Sequence, residues 1–247
     1  FANNEIGTVE PVAALGAVAK RHGVLFHTDA VQAFGQLPIN VDEMNIDMLS
    51  ASGHKINGPK GIGFLYIRSG LKLQSFVHGG AQERNRRAGT ENVPGIVGLE
   101  AAVKRAVRIL DEKTARKLFL RDYLIRRIEE EIPYCSLNGH RTSRLPCNVN
   151  FSFRFIEGES VLIMLDMKGI CASSGSACTS GSVDPSHVLL AIGRNQEEAH
   201  GSLRLTLSEE NTQEELDFVV EQLKQIVQKL RDMSQLYEAF TRKNGGK

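Results

Sequence analysis

Ser50-Ala51-Ser52-Gly53-His54-Lys55-Ile56-Asn57-Gly58-Pro59-Lys60-Gly61-Ile62-Gly63 is the stretch on which the reading of the chain turns. The apolar run just before and within it (Ile46, Met48, Leu49, Ala51) reads as a strand, and a lysine follows in a short glycine-rich loop. Ser52 and His54 stand beside Lys55, and Gly58, Gly61 and Gly63 follow with Pro59 among them. An amine held at a strand end, with hydroxyl, imidazole and backbone donors around it, is suited to form a Schiff base with a phosphorylated aldehyde cofactor. A lone lysine near glycines is more often a solvated turn, so this reading rests on its context.

Working outward, Val12, Leu15, Val18 and Ala19 recur at helical spacing over 11–22, with Pro11 in the first turn and Gly23 as the stop. Residues 24–29, 46–51 and 62–67 read as strands. The alternation of strand and helix predicts an α/β layer. Functional groups in such sheets gather at the strands' carboxyl ends, where Asp29 and Ser52 both fall. Residues 74–92 read as a loop holding Arg84, Arg86, Arg87 and the pair Gly89-Thr90, either solvated or facing an anion at a subunit contact.

Helices are expected over 94–110 and 114–131, the second with most of its charge on a solvated face. Shorter elements follow: a strand at 148–153, a helix near 159–167 and a strand at 202–207. A helix over 212–230 opens with the capping pair Thr212 and Glu215 and has a core face of Leu216, Val219, Val220, Leu223, Ile226, Val227 and Leu230. The expected division falls near residue 111, with 1–110 as the α/β layer, 111–247 as a smaller α+β domain, and 241–247 as a disordered tail.

Composition narrows the function classes. A net charge of +1 over 247 residues gives no electrostatic case for nucleic acid or for an anionic membrane. No apolar run approaches a membrane span. Four cysteines without CxxC spacing make neither a disulfide framework nor a zinc site, and no metal is expected; reduced thiols in a cytosolic setting are. The opening Phe1-Ala2-Asn3-Asn4-Glu5-Ile6-Gly7 reads as the inside of a fold, so a preceding segment is expected.

Three further residues carry chemistry. Asp29 could keep a pyridine nitrogen protonated beneath the ring, or serve as a helix cap. Cys178 lies in a run made almost wholly of Ser, Gly, Ala and Thr, as suits a thiol nucleophile on a mobile tether. Cys171, beside Ile170, reads as structural. Arg204, mid-strand, could grip a carboxylate with two prongs, or be a surface arginine.

Five segments in register, Asn3-Asn4-Glu5-Ile6-Gly7-Thr8, His27-Thr28-Asp29-Ala30-Val31-Gln32, Ser52-Gly53-His54-Lys55, Arg87-Ala88-Gly89-Thr90 and Ser173-Ser174-Gly175-Ser176-Ala177-Cys178-Thr179-Ser180, together resemble the cysteine desulfurases. These are pyridoxal 5'-phosphate (PLP)-dependent enzymes of fold type I in the class V aminotransferase group. The match is to the branch with a long cysteine loop that serves iron–sulfur cluster and thiolation pathways. The resemblance implies that Lys55 holds PLP, that Asp29 pairs with its ring nitrogen, and that Gln32 and Asn4 lie near the ring hydroxyl. Ser52 and His54 are implied as phosphate ligands, and Thr90 as a phosphate ligand lent by the second subunit of a homodimer. Arg204, with Asn4, is implied at the carboxylate of L-cysteine. Cys178 is implied as the persulfide-forming cysteine that passes sulfur to an acceptor or iron–sulfur scaffold protein.

Two departures stand out. The family's phosphate-cradling Gly/Thr loop and ring-stacking histidine, which precede the residue matched by Asn4, are not in this sequence, and Ala81 stands where a glycine is expected. A selenocysteine lyase would use the same residues, and a non-catalytic partner-binding module is the alternative from a different class.

Overall fold

The computed structural model describes residues 1–174 and 184–244. Backbone contacts gather them into two compact units, one of Phe1 with Glu10–Leu110 and one of Ala2–Val9 with Asp111–Lys247.

The first unit is built on a three-stranded sheet in the order β1 (His27–Asp29), β2 (Met48–Ser52), β3 (Gly63–Ile67). β1 runs parallel to β2 with Asp29 opposite Ser50, and β3 runs antiparallel to β2 with Gly63 opposite Ser52. The first strand is shorter than its apolar start implies: Val24 and Leu25 are exposed and precede it. Helix α1 (Val12–Arg21) follows Pro11, and the chain turns away at Gly23 with φ +63°. Residues 74–92 hold one short turn, α2 (Gln82–Asn85), with Glu83, Arg84 and Asn85 in the left-handed region. Helix α3 (Val93–Arg108) starts at Asn92, whose side chain accepts from the Gly95 amide.

The second unit holds an antiparallel sheet in the order β4 (Cys135–Leu137), β5 (Asn148–Phe153), β6 (Ser202–Thr206). β5 is buried at every residue. Val149, Phe151 and Phe153 on one face join a core with Leu120 and Leu124 of α4 (Leu110–Glu131), Leu165 of α5 (Gly158–Asp166) and Leu223 of α8 (Gln213–Asp232). The capping box of Thr212 and Glu215 forms as read from the sequence. Helices α6 (His187–Ala191), α7 (Gln196–His200) and α9 (Gln235–Asn244) complete the unit.

The other face of β5 carries Asn148, Asn150 and Ser152, and protein groups satisfy them. Asn138 Nδ2 donates to Asn150 Oδ1 and Ser152 Oγ at 2.8 and 2.9 Å, while Asn148 and Asn150 donate to the Glu5 carbonyl at 3.0 and 2.9 Å. These bonds draw Ala2–Val9 into the second unit, although the expected division set residues 1–110 together. One other expectation needs correction. The tail expected to be disordered is helical to Asn244, because Phe240 packs on Tyr134 and Phe155 with ring centroids 5.3 and 4.8 Å away; residues 245–247 lie outside the described residues. On α4 most of the charged residues are exposed, as expected; Lys113, Lys117 and Arg121 are buried, with Lys117 bridging Glu209 and Arg121 bonded to Asp122.

Candidate active site

Because β1 and β2 are parallel, their carboxyl ends open on the same edge of the sheet. Asp29 ends β1 and Ser52 ends β2, and a 3-10 turn (Gly53–Ile56) then carries His54 and Lys55. Ile56 is buried against Ala102 and Ala106 of α3, which leaves His54 and Lys55 exposed on the same turn. Glycines let the turn sit that close. A Cβ on Gly58 would come within 2.9 Å of the Gly53 carbonyl and 3.2 Å of Ala102, and one on Gly53 would meet Ile62 and Leu99 at 3.1 and 3.2 Å.

Ser52 Oγ and His54 Nδ1 are 2.7 Å apart, a pair fixed by the turn. Asp29 Oδ1 accepts from the Val31 amide at 2.8 Å. The carboxylate thus caps the turn after β1, the plainer role weighed for it, and still stays exposed. Gln32 is half-buried in that turn. His27 Nε2 and Ser50 Oγ, 2.8 Å apart, share the sheet face of Asp29. Sequence reasoning did not single out this pair; the two-residue spacing of His27 and Asp29 was the available signal. Thr90 is exposed between α2 and α3, and no hydrogen bond among the described residues joins it to Lys55, Ser52 or His54.

In the second unit, the structure brings Asn4 and Arg204 together. Arg204 Nη1 donates to the Asn4 carbonyl at 3.0 Å, and its backbone exchanges hydrogen bonds of 3.0 and 2.6 Å with Ser173. Its Nε is buried without a hydrogen-bond partner among the described residues. A buried guanidinium N–H left unsatisfied is costly unless an acceptor arrives, which fits a bound carboxylate. Cys178 lies outside the described residues. Cys171 is exposed and so does not have the structural setting expected for it.

The donor set of the first unit suits a phosphorylated pyridine aldehyde. It offers one exposed amine, one carboxylate and one hydroxyl–imidazole pair along a single sheet edge. Among the described residues, no group of three His, Cys, Asp or Glu could hold a metal ion, and no helix is long and apolar enough to cross a membrane.

A family model described as Aminotransferase class-V matches residues 1–219. A cysteine desulfurase IscS from Methanosarcina thermophila is 57% identical over 236 residues, covering 96% of this chain and 58% of that protein. A cysteine desulfurase IscS from Clostridium botulinum is 54% identical over 242 residues, covering 97% of this chain and 61% of that protein. Among solved structures, a NifS-like protein from Rickettsia africae superposes with a TM-score of 0.83 at 32% identity, covering 91% of this chain and 59% of that one. The chain spans about three fifths of the length of the curated relatives it matches.

Proposed function

The chain belongs to the class-V aminotransferase family, and from that premise we propose that it carries the machinery of a PLP-dependent cysteine desulfurase. The reaction converts L-cysteine to L-alanine and leaves the sulfur on an enzyme cysteine. The observation that carries the reading is Lys55, exposed on the turn that leaves β2, with Asp29 at the neighbouring parallel strand end.

The bound cofactor supplies an electron sink for charge developing at the substrate's Cα. Lys55 would hold it through its amine and would serve as the base that moves the substrate's Cα proton. Asp29 keeps a proton on the ring nitrogen by pairing its negative charge with the cation. Ser52 and His54 take phosphate oxygens, and Thr90 of a second copy of the chain adds another donor. Gln32 would hold the ring hydroxyl, a role the resemblance also gives to Asn4. Arg204, assisted by Asn4, orients the substrate carboxylate, and its Nε supplies an N–H short of an acceptor.

Cys178 acts as a thiolate on the substrate's sulfur. The substrate C–S bond breaks with its electron pair staying on carbon, which a proton converts to the methyl group of alanine. A new S–S bond leaves a persulfide on Cys178, ready for an acceptor or iron–sulfur scaffold protein in the cytoplasm.

Borohydride reduction of the purified chain with added PLP, followed by peptide mapping, tests the cofactor role. A pyridoxyl adduct on Lys55 that disappears in Lys55→Ala is the expected result, and an adduct on another lysine, or none, overturns it. Alanine formation from L-cysteine should then stop in Cys178→Ala; persistence there removes Cys178 as the sulfur acceptor.

A further inference from the structure

Asn150 on β5 stands directly opposite Arg204 on β6, so the two side chains share one face of the sheet. The segment Ala2–Val9 links them. Asn150 Nδ2 donates to the Glu5 carbonyl at 2.9 Å, and Arg204 Nη1 donates to the carbonyl one residue earlier, that of Asn4, at 3.0 Å. Two consecutive carbonyls thus take one bond from each strand.

The orientation of the Asn150 amide is set from its other end. Arg194 has only N–H donors, so the oxygen of Asn138 must face it, and Arg194 Nε donates to Asn138 Oδ1 at 2.7 Å. That turns Asn138 Nδ2 toward Asn150 Oδ1 at 2.8 Å and Ser152 Oγ at 2.9 Å. With its oxygen occupied, Asn150 has its Nδ2 left for the Glu5 carbonyl. Asn138 and Asn150 are both 0% exposed, so a reversed amide would set donor against donor with no water to relieve it. Every bond in this row therefore runs one way, from Arg194 toward Glu5. Asn148 Nδ2 reaches the same Glu5 carbonyl at 3.0 Å, and its Oδ1 accepts from Arg144 Nη1 at 3.0 Å. Asn3 Oδ1 closes the turn by accepting from the Glu5 and Ile6 amides at 2.9 and 3.0 Å.

At the receiving end, the Asn4 carbonyl occupies Nη1 of Arg204, while Nε stays buried without a partner among the described residues. A guanidinium held by one nitrogen keeps its Nε edge aimed in one direction, and a carboxylate that meets that edge finds it already oriented. We infer that Asn150, oriented by Asn138 and Arg194, is a positioning residue for Arg204: it fixes the Asn4–Glu5 peptide, whose carbonyl sets the direction of the guanidinium toward a carboxylate ligand. Identifying that ligand as L-cysteine rests on the desulfurase reading; the relay itself does not.

Nitrogen-15 NMR of the whole chain without cofactor tests the relay. The Nε–H resonance of Arg204, identified by its absence in Arg204→Lys, should exchange slowly with solvent in the parent and about tenfold faster in Asn150→Ala. Ser152→Ala removes an equally buried polar group from the same strand face and leaves the bond to Glu5 in place, so it should keep the parent rate. Equal rates in the parent and Asn150→Ala overturn the relay, as does the same acceleration in Ser152→Ala or a parent resonance that exchanges as fast as a solvated arginine. If Asn150→Ala fails to fold, Arg194→Ala decides, because that residue is half-buried at the outer end of the row. It should accelerate the same resonance about threefold, and an unchanged rate there overturns the relay.

With PLP, Asn150→Ala should raise KM for L-cysteine about tenfold and leave kcat within about twofold, because carboxylate binding is weakened and the chemical step is not. Ser152→Ala should change neither. An unchanged KM in Asn150→Ala, or a rise that Ser152→Ala matches, overturns the positioning role. A parent chain that forms no alanine counts against the desulfurase reading instead, and the exchange rates then decide the relay by themselves.

Discussion

Cys135 sits on the edge strand β4 with its thiol directed at the Ile128 carbonyl, 3.8 Å away. Burial pushes its pKa up to about 11, and the charge of Glu129 adds to the shift. Cys147 is raised too, chiefly by burial, with Lys117 opposing. Iodoacetamide at pH 8 should therefore label Cys171 first among the described cysteines and reach Cys135 and Cys147 only after urea is added; early labelling of Cys135 on peptide maps would contradict this. The unfolded chain loses the Cys135 proton before the folded one does. The stability this thiol contributes is thus full below pH 9 and declines as pH rises toward 11. At this scale, the lysine group was legible because His54 and Lys55 follow the strand end at Ser52 within one turn, and Asp29 ends a strand readable on its own. Glu5 was not legible as a buried residue, since the Ser186 hydroxyl that donates to its carboxylate stands 181 residues away.

Between α4 and α8, Arg127 binds Glu131, Asp217 and the Tyr123 hydroxyl, and Lys224 reaches Glu131 at 3.3 Å. The hydrogen bond from Arg127, opposed by partial burial, holds the Glu131 carboxyl below its ordinary 4.5. As pH falls, the unfolded chain takes up this proton first. The contribution is therefore present above the ordinary value and lost as pH drops through the lowered one. Glu131→Gln should cost no more than about 1 kcal/mol at pH 7 and flatten the acid limb of thermal unfolding followed from pH 6 to pH 3. An unchanged acid limb would remove Glu131 from the acid response. The helix α8 was readable because its capping pair and apolar stripe are local signals. Three features were not: the buried cations of α4 look like a solvated face on a helical wheel, the turn of α9 beyond Thr241 depends on Tyr134 and Phe155, and β1 loses Val24 and Leu25 although their types favour a strand.

For the molecule as a whole, the strap Ala2–Val9 is the feature that no local pattern signals. Its place is decided by Asn148 and Asn150, polar residues on a strand whose alternation ordinarily marks a solvated face. Deleting residues 1–9 leaves both amides without their acceptor in a buried setting. Residue-resolved hydrogen exchange should then show β5, β6 and α6 losing protection by tenfold or more, on the order of 1–3 kcal/mol for each orphaned group. Loss confined to the neighbourhood of Asp29, where Phe1 donates to the carbonyl, would show that the strap is dispensable to the second unit.

The strap also sets an order of events during synthesis. Glu5 waits for partners 143, 145 and 181 residues downstream. At ~5–20 residues per second, a ribosome needs roughly 7–30 s to go from Glu5 to Asn148, and α6 emerges later still. The second unit therefore folds by recapturing a piece made long before the rest of it, a high-contact-order closure that is slow by nature. Throughout that interval the Glu5 carboxylate stays hydrated, and its desolvation belongs to the last steps of folding.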